Sequence, residues 1–219
     1  MKTSERIRER LRAAGAPFKA NDNIAAYLEE GELDAIRAEV EQHLEGLLSS
    51  LVIDVENDHN TRDTAHRIAK MYVDEVFAGR YTEMPKVTDF PNAKNLDDFL
   101  VVGPLDVRST CSHHFAPVMG RIWVGVVPGE RVIGLSKFSR LCQWVMSRPQ
   151  IQEESVMQLA DLLEEKMAPK GLAIVVRASH SCMTWRGVKE TNSEMVTTVM
   201  RGAFREDRDL RRDFLSQIA

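Results

Sequence analysis

Two short clusters of cysteine and histidine carry the residue types best suited to chemistry in this chain. They are Cys111-Ser112-His113-His114 and His180-Ser181-Cys182. Cysteine sulfur and histidine nitrogen are ligands that zinc prefers, so the clusters predict a transition-metal site. The five candidates exceed the four ligands of a closed structural site, which leaves some of them free to act as catalytic groups. A structural zinc, or cysteines and histidines that are simply buried, stays open as an alternative.

The elements that must position these clusters are a strand end or turn for the first and a strand for the second. Cys111 and His114 are close enough in sequence for a turn to direct both side chains at one point. The run Gly171–Ala178 is rich in β-branched and apolar residues and predicts a strand that continues towards Cys182. In a strand, His180 and Cys182 would lie on the same face.

Composition favours a globular protein of one or two compact units. The chain has 219 residues, 43% of them hydrophobic, and a polar start without the apolar region of a signal peptide. Since no apolar run approaches the roughly twenty residues that span a bilayer, we expect a cytoplasmic protein without membrane contact. The three cysteines suit metal binding in a reducing compartment better than a disulfide framework, and Cys142 is expected to be buried in a helix.

The charge balance argues against a general nucleic-acid-binding protein. The formal net charge is -4, whereas such proteins carry an excess of lysine and arginine. Basic residues nevertheless occur in the same part of the chain as the metal candidates. This cluster favours a small anionic substrate, with salt-bridged surface charge as the alternative for each residue: Arg131, Lys137, Arg140, Arg186 and Lys189.

The N-terminal part, up to about Gly79, is predicted to be helical. A second helix is expected from Asp63 to Gly79, with Arg67 and Lys70 on its surface and Ile68, Tyr72 and Val76 facing inward. Before it, apolar residues at three- and four-residue intervals predict a long helix whose stripe is core or an oligomer contact: Leu33, Ile36, Val40, Leu44, Leu47, Leu48 and Leu51.

The C-terminal part is predicted to alternate strands and helices. Strands are expected over Phe99–Thr110 and Phe115–Val127, and a helix from Ser136, as its cap, to Ser147. Lys137 and Arg140 are expected in the first turn, where cations oppose the helix dipole and make more sense as phosphate contacts.

A further helix, two strands and a terminal helix complete the predicted order. Pro149 is expected to open the helix, with Gln152 and Glu153 in its first turn. After the strand that ends at Cys182, a last strand over Met195–Phe204 and a helix over Asp207–Ile218 are expected. The order predicts an α+β fold.

Six motifs in order make the chain resemble the GTP cyclohydrolase I family, from about Asp63 to the C-terminus. They are Ala65-His-Arg-Ile-Ala-Lys-Met-Tyr, Cys111-Ser-His-His-Phe, Gly134-Leu-Ser-Lys, Arg148-Pro-Gln-Ile-Gln-Glu, His180-Ser-Cys-Met and Arg186-Gly-Val. The resemblance implies a T-fold of antiparallel strands and two helices, assembled into a toroid that is usually a decamer with active sites between subunits. We expect a helical N-terminal region over 1–92 and the T-fold catalytic domain over 93–219.

The resemblance also implies a role for individual residues. Cys111, His114 and Cys182 look like the ligands of a catalytic zinc, with His113 and His180 as the proton-transfer groups. Glu153 would anchor the guanine, with Gln152 beside it. The triphosphate and ribose end would be held by a larger set: Ser136, Lys137, Arg140, Arg186, Arg67 and Lys70. Ser136 would also belong to the catalytic group.

The reaction implied is the hydrolytic opening of the guanine imidazole ring of GTP. It releases formate and yields 7,8-dihydroneopterin triphosphate, at the start of pterin and tetrahydrofolate synthesis. Two departures from the family pattern are Ser112, where the family usually has Glu, and Glu154, where it commonly has Arg. They leave open an enzyme that prefers another guanine nucleotide such as dGTP, or that stops at a ring-opened formamidopyrimidine.

Two alternatives of other classes are weaker. A non-catalytic T-fold protein that binds a pterin or nucleotide would not need every ligand-type and proton-transfer residue that this chain retains. A related nitrile reductase would need a nicotinamide cofactor and a cysteine nucleophile, and Cys142 lies on an apolar helix face.

Overall fold

The computed structural model describes residues 1–219, which form two compact units, Met1–Glu83 and Met84–Ala219. The division lies N-terminal to the boundary expected after residue 92, because strand β1 (Asp89–Pro91) pairs with strand β4 (Arg131–Ile133) inside the second unit. None of the helices is both long enough and apolar enough to span a bilayer.

The first unit is helical, as the sequence predicts. Its small core contains Ile7, Leu11 and Ile24, and the buried carboxylate of Glu32 pairs with Arg10 at 2.8 Å beside it. The elements in chain order are α1 (Thr3–Ala13), a 3₁₀ turn (Ala25–Tyr27), α2 (Glu32–Ser50), α3 (Thr64–Lys70), a π-helical turn (Met71–Val76) and α4 (Ala78–Tyr81).

The two predicted helices of this unit are confirmed in place but differ in detail. The apolar stripe of α2 is only partly internal, since Leu48 is buried whereas Leu47 is 51% and Leu51 60% exposed. Asp63 is the N-cap of α3 as expected, but the single helix to Gly79 is wrong because the π-helical turn interrupts it. Ile68, Tyr72 and Val76, which were expected to face inward, are only half-buried. The buried residues of this segment recur every four positions: Ala65, Ala69, Val73 and Phe77.

The second unit is built around a five-stranded sheet in the order β5-β2-β3-β6-β7. Its long strands pair antiparallel, and only the two-residue β5 runs parallel to β2. The further elements are β2 (Leu100–Cys111), β3 (Pro117–Val127), α5 (Leu135–Met146), β5 (Pro149–Gln150), α6 (Gln152–Met167), β6 (Gly171–His180), α7 (Ser181–Thr184), β7 (Met195–Gly202), α8 (Ala203–Glu206) and α9 (Arg208–Gln217).

Alternation along the strands gives the sheet two apolar faces, which different helices cover. Ile174 and Val176 of β6 pack against α5 and α6, whereas Val175 between them packs against Phe204 and Phe214 of α8 and α9. The expected inner face of α5 is buried, at Phe138, Leu141, Cys142 and Val145. The result is the α+β arrangement that the sequence predicts.

Three local predictions in this unit are wrong. Helix α5 begins at Leu135 with Gly134 as its N-cap, because the Lys137 N–H closes the first turn on the Gly134 carbonyl at 2.8 Å. Ser136 is therefore not the cap, and Arg140 lies beyond the first turn. Pro149 does not open α6, since it lies in β5 and the N-cap is Ile151.

Candidate functional site

The register of the sheet brings both cysteine and histidine clusters to the same edge of the fold. Ser109 of β2 and His180 of β6 are both paired with Val118, so β3 lies between them. Since β2 ends at Cys111 and β6 ends at His180, the C-terminal ends of these two strands lie on either side of the start of β3. Antiparallel pairing thus joins segments that are far apart in sequence.

A tight turn after β2 presents the first cluster. The Cys111 N–H donates to the Ala116 carbonyl and the Phe115 N–H donates to the Cys111 carbonyl, both at 2.9 Å. Phe115 takes a left-handed backbone conformation, with φ of 51°, which reverses the chain. His113 and His114 lie exposed on this turn, while Cys111 at its base is buried.

The second cluster leaves the strand earlier than expected. His180 is the last residue of β6, and Cys182 lies in the helical turn α7, so the prediction that both share one strand face is wrong. The turn directs the Cys182 sulfur towards the first cluster. The ligand atoms of Cys111, His114 and Cys182 all lie within 4.8 Å of one another, which forms a candidate metal site.

The chemistry of this donor set fits a thiophilic divalent cation. Burial and the adjacent Cys111 sulfur raise the pKa of the Cys182 thiol, because a thiolate there would be poorly solvated and would lie close to a second sulfur. A cation between the two sulfurs would remove this penalty, so binding would release protons. Two sulfurs and one imidazole are a ligand set typical of zinc.

The two remaining histidines of the clusters have different neighbours. The Nδ1 atom of His113 lies 3.7 Å from the Cys111 sulfur. Partial burial lowers the pKa of His180, and the nearby Glu153 carboxylate opposes that shift without reversing it. The lowered pKa favours the neutral form of His180 at neutral pH.

The neighbouring residues Gln152 and Glu153 point in different directions. Glu153 is exposed and close enough to His180 to influence its charge, whereas Gln152 is buried and accepts from the His180 imidazole, with Nε2 and Oε1 separated by 2.9 Å. The Gln152 amide nitrogen donates to the Thr197 hydroxyl at 3.0 Å. The sequence did not predict Thr197 as a site residue. The alternation of a strand shows which residues share a face of the sheet, but it does not show which side chain on another element each of them contacts.

The basic residues expected to hold the triphosphate and ribose are distributed over three places, whereas Arg131 pairs with Asp89 at 3.3 Å and Lys189 is exposed. Arg186 lies at the metal group, where its guanidinium donates to Nε2 of His114 at 2.9 Å. Lys137 donates from Nζ to the Lys86 carbonyl at 2.9 Å, and its neighbours Ser136 and Arg140 are exposed on α5. The other two belong to the first unit and are exposed on α3: Arg67 and Lys70.

Comparison with known proteins identifies the family of the chain. The family model described as GTP cyclohydrolase I matches residues 40–219. A protein named GTP cyclohydrolase 1 from Actinobacillus pleuropneumoniae serotype 5b is 40% identical over 186 residues, covering 84% of this chain and 85% of that protein. Another of that name, from Aliivibrio salmonicida, is 35% identical over 213 residues, covering 97% and 95%. The matches span most of the chain, and the family model includes both cysteine and histidine clusters, so the chain belongs to the GTP cyclohydrolase I family.

Proposed function

We propose that this protein is a zinc-dependent hydrolase that converts GTP to formate and 7,8-dihydroneopterin triphosphate. The observation that carries the proposal is the convergence of Cys111, His114 and Cys182 within 4.8 Å in a chain of this family. Zinc held by these residues would supply Lewis-acid activation of water. The chain's own residues then bind the nucleotide and move the protons.

Proton transfer falls to the two histidines beside the metal group. His113 lies on the same turn as the ligand His114, and His180 approaches from β6. Opening of the imidazole ring requires a proton on the nitrogen that leaves C8, and rearrangement of the ribose requires protons to be removed and returned. An imidazole suits both tasks because its unperturbed pKa is about 6.5. Ser136 would assist at the ribose end.

The nucleotide would be held at both of its ends. The exposed Glu153 carboxylate would accept hydrogen bonds from the guanine ring N–H and amino group. The triphosphate and ribose would be held by basic side chains, which suit phosphate oxygens because their hydrogen bonds are charge-assisted. These are Lys137, Arg140, Arg186, Arg67 and Lys70.

We propose further that copies of the chain assemble into a toroid, with a decamer as the expected state and active sites between subunits. The sheet supports this, because β7 is an outer strand and β5 covers β2 only at Thr110 and Cys111. Open strand edges pair readily with another chain, and head-to-tail pairing of one edge with the other generates rings. A cytoplasmic location stays a prediction.

The decisive experiment is incubation of the zinc-loaded protein with GTP, followed by detection of formate and of the oxidised fluorescent pterin. The Cys182→Ala variant is expected to lose both products and at least about tenfold in zinc affinity, since it removes one ligand. Cys142→Ala is the matched control, because Cys142 is buried in α5 and burial raises its pKa to about 12. Wild-type protein that leaves GTP intact would refute the proposal.

Ser112 favours a second candidate, an enzyme of the same family with another nucleotide preference. Its backbone N–H donates to the Gln150 carbonyl at 3.1 Å, which fixes it next to the ligand Cys111. A neutral hydroxyl there, in place of the usual carboxylate, removes one negative charge near the metal group. Turnover of GTP and dGTP by wild type and Ser112→Glu tests this candidate, which fails if the two proteins show the same ratio.

A further inference from the structure

The side chain of Gln152 joins three elements behind the candidate site. Only 6% of Gln152 is exposed, at the first position of α6. Its amide nitrogen lies 3.1 Å from the Met195 carbonyl and 3.0 Å from the Thr197 hydroxyl of β7, and its amide oxygen lies 2.9 Å from Nε2 of His180. Helix α6, strand β6, which ends at His180, and the outer strand β7 therefore meet at one amide group.

The orientation of this amide follows from what its neighbours can accept. The Met195 carbonyl, and the Val176 carbonyl at 3.4 Å, have no proton to give, so they require the nitrogen end of the amide. The oxygen end must then face His180. Because an amide oxygen can only accept, the hydrogen atom of that contact must belong to Nε2 of the imidazole.

We propose that Gln152 and Thr197 are positioning residues that hold His180 in the tautomer with hydrogen on Nε2, leaving Nδ1 as the nitrogen that exchanges protons with the substrate. The inference rests on the proposed cyclohydrolase activity. It gives Gln152 a role different from the purine contact implied by the family resemblance, because its polar atoms are already engaged inside the fold. The hydrogen on Nε2 is hydrogen-bonded to the Gln152 amide oxygen, so Nδ1 is the ring nitrogen whose lone pair stays available to the substrate.

Thr197→Val tests the inference without touching a residue that meets substrate. Valine keeps the shape of threonine and removes the hydroxyl that accepts from Gln152, so the amide is less firmly held. We expect kcat for GTP to fall about fivefold to tenfold, the scale of one lost hydrogen bond. KM should stay unchanged, and Thr197→Ser should restore kcat because it restores the acceptor.

Thr198→Val is the matched control, since Thr198 is exposed on the opposite face of the same strand. It should behave like wild type, and thermal melting of each variant separates catalytic from folding effects. Wild-type kcat in Thr197→Val would overturn the inference. A raised KM with unchanged kcat would also overturn it, because that result would place Gln152 among the substrate-binding groups.

The tautomer is open to direct measurement that does not depend on turnover. Solid-state NMR of protein labelled with ¹⁵N-histidine, assigned through a His180→Asn sample, should show neutral His180 with hydrogen on Nε2. Hydrogen on Nδ1 would overturn the inference. A wild-type protein that releases no formate would instead refute the proposed function, and the spectrum would still decide the tautomer.

Discussion

At the scale of single residues, the candidate site combines a cysteine and histidine group with the neighbouring pair Gln152 and Glu153. The metal-ligand candidates could be found from composition and spacing, because cysteine sulfur and histidine nitrogen are the ligands that zinc prefers and both clusters combine them. The inward direction of Gln152 was predictable but missed. It precedes the buried Val156 and Leu159 by four and seven positions, which is the spacing of one helix face. Glu153, one position on, lies off that face and is exposed.

The Glu32 carboxylate in the first unit leads to a prediction about pH. Its hydrogen bonds with Arg10 hold its pKa below the ordinary 4.5, so the pair contributes stability above that value. This contribution is lost as pH falls through the lowered pKa of the folded state. Glu32→Gln should therefore unfold at lower denaturant concentration than wild type at pH 7.

The difference should shrink as the pH falls below about 4.5 and the wild-type carboxyl becomes protonated. Denaturant titrations at several pH values measure it. Glu30→Gln is the control, since Glu30 is exposed in the same region and its substitution should change little at any pH. A gap between Glu32→Gln and wild type that is constant with pH would contradict the ion-pair explanation.

At the scale of elements, the interiors of helices and strands were predictable and their ends were not. The long strands follow their apolar runs, and α5 buries the face that its period predicts. The ends depend on backbone torsions and on distant partners. Gly134 rather than Ser136 caps α5, and Pro149 extends along β2, a contact that no local pattern encodes.

The contact between α9 and the sheet leads to a prediction about stability. Phe214 is fully buried, and its ring fits against β3 because residue 125 is glycine, where a Cβ atom would lie 2.8 Å from that ring. Phe214→Ala should lower the free energy of unfolding by about 3–5 kcal/mol, since it removes apolar contact and leaves a cavity.

Leu215→Ala provides the comparison on the same helix, because Leu215 is 41% exposed. We expect it to cost under about 1 kcal/mol. Chemical denaturation of both variants measures the difference. Equal losses would show that the α9 contact contributes no more than an exposed leucine.

At the scale of the whole molecule, the sequence predicted a helical N-terminal part and a mixed C-terminal part, and the two units follow that order. What it could not predict is which copy supplies which residue, because a sequence pattern does not distinguish contacts within a chain from contacts between copies. Arg67 belongs to the first unit and the metal group to the second. If active sites lie between subunits, as we propose, Arg67 of one copy could act with the metal group of another.

Mixing two inactive variants tests this expectation. If Arg67→Ala and Cys182→Ala are unfolded, mixed in equal amounts and refolded together, sites between subunits should regain roughly one quarter of wild-type formate release, by random pairing. Each variant refolded alone should stay inactive. If the mixture assembles normally by size-exclusion chromatography but recovers no activity, both residues act at the same site within one subunit.

The position of Thr197 on the outer strand links turnover to protein concentration. The strand that supports the tautomer of His180 is the same strand whose free edge would receive the next subunit in a ring. In the proposed ring, a subunit released by dilution would keep Cys111, His114 and Cys182 and so its candidate metal site, whereas the edge of β7 would lose its neighbour. If the proposed ring forms, activity per subunit should decline on dilution while the amount of bound zinc stays constant, because the ring would then support the strand that holds Thr197.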